Sequence, residues 1–142
     1  MAYSSEFIRA ISIALFIHVK MSEYKFEYVS TKIIAEYLMI PAPTIVSILK
    51  SLNAAGITTT KEGSKGGILL SNPVSQITLL DIFLAVERGP MFKTQVDFAP
   101  KRPQDENAME TIADYLQDAE AAMKETLRKT TLEDVFNSIN GR

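Results

Sequence analysis

Between residues 41 and 70 the chain reads PAPTIVSILKSLNAAGITTTKEGSKGGILL, and the punctuation of that stretch leaves few folds open. Ile45, Ile48, Leu49 and Leu52 recur at the i, i+3, i+4, i+7 spacing of one buried helical face. Gly56 follows Ala54-Ala55, where a helix that stops needs a left-handed residue. Ile57 to Lys61 is then β-prone, Gly63-Ser64-Lys65-Gly66-Gly67 is a turn, and Ile68 to Leu70 is a second apolar run. A helix followed by a hairpin of this size is the second half of a winged helix-turn-helix, which lays a helix in the DNA major groove and a loop beside it.

The residues before Pro41 supply the other half. Ser30 is a good N-cap for a helix over Thr31 to Met39, with Ile33, Ile34, Tyr37 and Leu38 as its apolar stripe. Pro41 and Pro43 stop that helix and open the next, because a residue before proline avoids αR while proline fits a first helical turn. Upstream, Ser4 or Ser5 caps a helix to about Met21, with Phe7, Ile8, Ile11, Ala14, Leu15 and Val19 on its apolar side. If the stripe on the 41–56 helix faces the core, then Thr44, Ser47, Lys50 and Ser51 look outward. Those four are equally compatible with an ordinary solvated face. The order of elements, rather than any one of them, favours DNA.

Further on, Thr78 and Asp81 have the spacing of a capping box, and Leu79, Ile82, Phe83 and Val86 form one apolar face behind it. That helix ties the head to the rest of the chain. Gln104 to Lys129 reads as a long helix whose Met109, Ile112, Leu116, Ala119 and Met123 alternate in steps of three and four, the seam of a coiled coil. Acidic residues crowd its start and basic ones its end, matching the helix dipole. Such a seam pairs with a second copy or packs on its own head, and the scarcity of other cover favours pairing. A last helix, capped at Thr131 and carrying Leu132, Val135, Phe136 and Ile139, is expected to pack across the dimer or on the partner's head.

Charge is uneven along the 142 residues, whose formal total is −2. Residues 1–72 carry seven Lys or Arg against five Asp or Glu, and residues 73–142 carry eight against twelve. A weakly positive head binds DNA only if its cations share a face, with Lys20, Lys25, Lys32, Lys50, Lys61 and Lys65 as candidates. The chain has no cysteine and a single histidine, His18, so disulfides, thiol chemistry and thiolate metal sites are excluded. No cofactor is expected. Ile11 to Val19 is too short to span a membrane, and a cytoplasmic protein is expected. No Ser-His-Asp order or metal-ligand spacing suggests an enzyme.

Residues 26 to 88 resemble the winged-helix repressors that include the iron–sulfur cluster regulator, the nitrite-sensing repressor and the cysteine-metabolism repressor. The resemblance rests on the helix-turn-helix, the glycine-rich wing and Ile77-Thr78-Leu79-Leu80-Asp81-Ile82, followed by Ala85-Val86-Glu87 and Gly89. Ala121-Ala122-Met123 and Thr130 to Val135 extend it. It implies a homodimer reading a palindromic operator. Cluster-sensing members hold iron through three cysteines in the segment corresponding to Pro90–Glu110; this chain offers Met91, Phe92, Val96, Asp97, Phe98 and Pro100 there, so it is a cysteine-free relative. Relatives also often carry an arginine before the first wing glycine, where this chain has Glu62, an anion that phosphate repels.

The expected fold is mainly α with a small β-wing, a winged helix-turn-helix head joined to a long dimerisation helix. Residues 1–88 form the DNA-binding head with its linking helix, and 89–142 the effector loop and dimerisation helices. The expected function is sequence-specific transcriptional regulation by a dimeric repressor without a cluster. Thr44, Ser47, Lys50, Ser51, Lys61, Lys65 and Gly66 are the candidate DNA contacts. The expected partners are double-stranded DNA, a second copy, and a small-molecule effector or protein partner, with no membrane. The competing reading is a winged helix that binds proteins or small ligands and no DNA.

Overall fold

The computed structural model describes residues 5–94 and 102–141, so Ser4, Val96, Asp97, Phe98 and Pro100 lie outside the described residues. Six α-helices, α1 (Glu6–Ser22), α2 (Thr31–Leu38), α3 (Ala42–Ala54), α4 (Leu79–Val86), α5 (Pro103–Arg128) and α6 (Leu132–Asn140), accompany a 3-10 turn (Val74–Gln76) and an antiparallel pair, β1 (Thr58–Lys61) and β2 (Gly67–Leu70), among the described residues. No single described helix is long and apolar enough to cross a membrane.

At the centre of the head, α1 touches α2, α3, α4, α6 and β2. It buries Ala10, Ile13, Ala14, Phe16 and Ile17, of which Ala14 alone belongs to the expected stripe, and leaves Ile8 67% exposed. Both stripes have helical spacing because α1 is apolar nearly all round. The chosen one carries two alanines, which let neighbouring helices approach. Phe7, Ile11 and Leu15 flank the core half-buried. On α2, Ser30 caps as expected, its hydroxyl accepting from the Ile33 N–H at 3.2 Å. Here too the stripe is narrower: Ile34 is buried, whereas Ile33 and Tyr37 face out. An eight-residue helix resting on α1 and α3 has room for little more.

Met39 takes a left-handed φ of 55° to end α2, and the axis turns by 118° into α3. That falls at the upper end of the range for helix-turn-helix pairs. Pro41 is extended and its carbonyl accepts the Thr44 and Ile45 N–H groups, starting α3. As the spacing requires, Ile45, Ile48, Leu49 and Leu52 are buried. Gly56, at φ 77°, gives its N–H to Asn53 while Ile57 gives its own to Leu52, a Schellman closure that turns the chain into β1. Leu52 and Ile57, buried together, supply the apolar contact such a closure favours.

β1 pairs with β2 from Thr58↔Leu70 to Lys61↔Gly67, and Val29 adds a one-residue bridge to Ile68 on the other edge. Beyond the wing, Thr78 and Asp81 form a full capping box on α4, with bonds of 3.0 and 2.9 Å. Thr131 and Asp134 repeat it on α6 at 3.1 and 2.9 Å. The two helix starts are laced together, Leu79 N–H to the Thr130 carbonyl at 2.9 Å and Leu132 N–H to the Ile77 carbonyl at 2.8 Å. Leu132 is thereby fully buried in the head's own core. Within one chain α6 returns to its own α1, with Phe136 edge-on to His18, correcting the expectation that it crosses to a partner.

Candidate nucleic-acid interface

The buried row of α3 fixes what its other side offers. Pro43, Ser47, Lys50 and Ala54, spaced by four, three and four, form the outermost line, with Val46 beside it 53% exposed. Ser47 and Lys50 therefore sit where the spacing puts them. Thr44 and Ser51 are half-buried on the flank, able to reach a ligand only edge-on. Val46 is apolar and lies outside the buried stripe, so spacing alone gives it no role. Its methyls are free to pack on an apolar group such as a thymine methyl.

Asn53 holds the wing to α3. Its Oδ1 accepts the Thr58 hydroxyl at 2.5 Å and its Nδ2 donates to the Thr60 hydroxyl at 2.7 Å. This bracket satisfies Thr58, the buried polar residue among the described residues of the head, and ties helix to strand. Sequence spacing gives little warning of it, because it depends on the Schellman turn bringing residues 53 and 58–60 together. At the far end, Lys61, Glu62 and Lys65 are exposed. Lys61 lies 5.0 Å over the Tyr28 ring, which aims the ammonium without neutralising it. Gly66 is needed for space: a Cβ there would lie 1.9 Å from the Lys61 carbonyl oxygen. Its N–H is already given to Gly63, so the turn accounts for this glycine without a ligand.

The six candidate lysines divide. Lys20 stands over the rings of Phe16, Tyr24 and Phe26, and Lys25 donates to the Ser22 carbonyl at the end of α1. Lys32, Lys50, Lys61 and Lys65 remain exposed, and none forms an ion pair among the described residues. Arg102 pairs with Asp105 at the start of α5, and at its end the Arg128 guanidinium hydrogen-bonds Glu125 and holds its carboxyl below the usual range.

α5 has 26 residues and, by its described side chains, buries none of them. At about 1.5 Å per residue it is about 39 Å long, as wide as a small domain. Met109, Leu116 and Met123 of the expected seam are half-buried, whereas Ala119 is exposed and Ile112 is 52% exposed. Tyr115, 73% exposed, and Ala122 continue the bare line at helical spacing. Within the chain, α5 leans on α4 and on the Met91 N–H, which Glu120 accepts.

A family model described as iron-dependent transcriptional regulator, Rrf2, matches residues 4–138. Among curated proteins the chain is similar to "Putative HTH-type transcriptional regulator YwgB" of Bacillus subtilis (strain 168), 32% identical over 65 residues. That match spans 45% of this chain and 42% of the relative. Two solved structures share the fold. T. potens IscR has a TM-score of 0.66 at 20% identity, covering 98% of this chain and 88% of that one. CymR (YrzC), the global cysteine regulator of B. subtilis, has 0.66 at 24%, covering 95% of both.

The family description mentions iron, yet this donor set does not fit an iron–sulfur cluster. The whole sequence lacks cysteine, and no described group of three His, Asp or Glu could hold a metal ion.

Proposed function

The chain belongs to the Rrf2 family of transcriptional regulators, and from that premise we propose that it acts as a homodimeric repressor. It senses its signal without a cluster and reads a palindromic operator with α3. The observation that carries the reading is the outward side of α3, where Val46, Ser47 and Lys50 are exposed, tied to the wing through the two Asn53 hydrogen bonds. The serine hydroxyl pairs with a base edge or a phosphate, the valine meets a thymine methyl, and Lys50 meets a phosphate or guanine. Thr44 and Ser51 contribute from the flank. Lys61 and Lys65 clamp the backbone from the wing, with Glu62 opposing them.

The second copy docks through α5. A helix this long with no buried residue is a poor solitary element, and its bare line of Ile112, Tyr115, Ala119 and Ala122 supports pairing with its own kind. Leu116 lies at the edge of that line; Met109 and Met123 contribute less, being partly covered already. Residues 1–88 act as the reading head and 89–142 as the dimerising extension, anchored on the head by α6.

Titration of duplex DNA at several salt concentrations tests this. DNA recognition predicts an affinity that falls steeply and linearly on logarithmic axes as salt rises. Absent or salt-independent binding would favour a winged helix turned to protein or small-ligand partners.

A further inference from the structure

Between α1, the C-terminal end of α2 and the last turns of α6 lies an open groove of about 350 Å³. Rings of Phe16, Tyr24, Tyr37 and Phe136 line it, together with one charged group among the described residues, Lys20. The Phe16 and Tyr37 rings lie 4.8 Å apart, and Tyr37 is 71% exposed although its neighbours are apolar. The Lys20 ammonium is 4.3 Å from the centre of the Tyr24 ring and 5.5 Å from that of Phe16. Among the described residues no carboxylate lines the groove and Lys20 has no ion-pair partner. The site thus offers aromatic walls and an unmatched cation.

We infer that this groove binds a small aromatic carboxylate, its ring between Tyr37 and Phe136 and its carboxylate on Lys20. One cation selects a monoanion, because a phosphate would call for several donors. Four rings favour an aryl body over an alkyl chain, since aromatic pairs gain from offset or edge contacts beyond area alone. The volume lies at the lower end of ordinary ligand pockets, which suits a two-ring acid. Position gives the site a consequence. Tyr37 and Leu38 end α2 just before the Met39 turn into α3, and Phe136 belongs to α6. A ligand here sets α6 against α2 and so biases where α3 stands. That effector role rests on the DNA-binding reading; the ligand site itself does not.

Fluorescence titration of the intact chain with 2-naphthoate, without DNA, tests the site. Saturable binding of one molecule per chain is expected, with 2-naphthalenemethanol and octanoate each about tenfold weaker or worse. Lys20→Met should weaken naphthoate about tenfold and abolish its advantage over the alcohol; Tyr37→Ala should weaken both. No saturation, equal binding of alcohol or octanoate, or an unaffected Lys20→Met protein would overturn the site. So would a Tyr37→Arg protein that becomes monomeric, because a second copy would then fill the groove. Saturating naphthoate should also change duplex affinity about fivefold or more. An unchanged affinity for a duplex that is still bound overturns the effector role and leaves the DNA-binding reading standing.

Discussion

Replacing Glu62 by Arg is the sharpest probe of the wing. Lys61, Glu62 and Lys65 together carry a formal charge of +1, and the substitution raises it by two units. If the tip lies about 6 Å from a phosphate in water-like dielectric, each unit is worth about 0.7 kcal/mol. Two units then tighten binding by about 1.4 kcal/mol, roughly tenfold at low salt. One new phosphate contact also steepens the slope of log K against log salt by about 0.9. Between 50 and 200 mM salt that erodes roughly threefold of the gain. Glu62 is exposed and forms no ion pair among the described residues, so the fold should be indifferent to the change. Fluorescence anisotropy with a labelled duplex across a salt series reads both quantities. Weaker binding at low salt, or an unchanged slope in a folded variant, would refute the placement of the wing against the backbone.

Leu116→Asp should yield a monomer in sedimentation and lose operator affinity, because it puts an unpaired charge at the edge of the α5 line; a variant that stays dimeric would move the interface elsewhere. Thr78→Ala and Thr131→Ala should each lower stability by about 1 kcal/mol in urea unfolding. Since their helix starts share two backbone bonds, the double variant should depart from additivity by about 0.5 kcal/mol or more, and strict additivity would count against a single joint. Glu125, its carboxyl lowered chiefly by the Arg128 hydrogen bond, adds stability above the ordinary carboxylate range that fades as pH falls through its lowered value. Both groups are exposed, so Glu125→Gln should leave the neutral-pH melting temperature nearly unchanged; a clear drop would mean that α5 is covered there.

The head was legible in the sequence where local chemistry decides. Gly56 closes α3, Pro41 opens it, Ser30 caps α2, and Thr78 with Asp81 caps α4, as these residue types require at those spacings. Periodicity caught only part of the packed side of α1, Ala14 with Phe7, Ile11 and Leu15 at its flank, because several stripes of an almost wholly apolar helix have equal spacing. It overreached on α2, where Tyr37 belongs to a groove instead of the core. Tertiary links were invisible for another reason. The Asn53 bracket, the Val29 bridge and the lacing of α4 to α6 each join residues whose meeting depends on the fold. In hindsight the paired strings Thr78-Leu79-Leu80-Asp81 and Thr131-Leu132-Glu133-Asp134 were a visible repeat, though their pairing was not. The outward line of α3 was half legible: Ser47 and Lys50 follow from the stripe, and Val46 needed the exposed surface.

The central claim is that α3 reads sequence. Selection of bound duplexes from a randomised library, run in parallel on the wild-type protein and on Thr44→Ala/Ser47→Ala, addresses it most directly. The wild type should enrich a palindrome with two equivalent half-sites. The double variant, still folded, should lose preference at the same positions in both halves, by about 1–3 kcal/mol for each lost base contact. An unchanged enriched sequence in the double variant would contradict the account, and so would a wild type that enriches nothing.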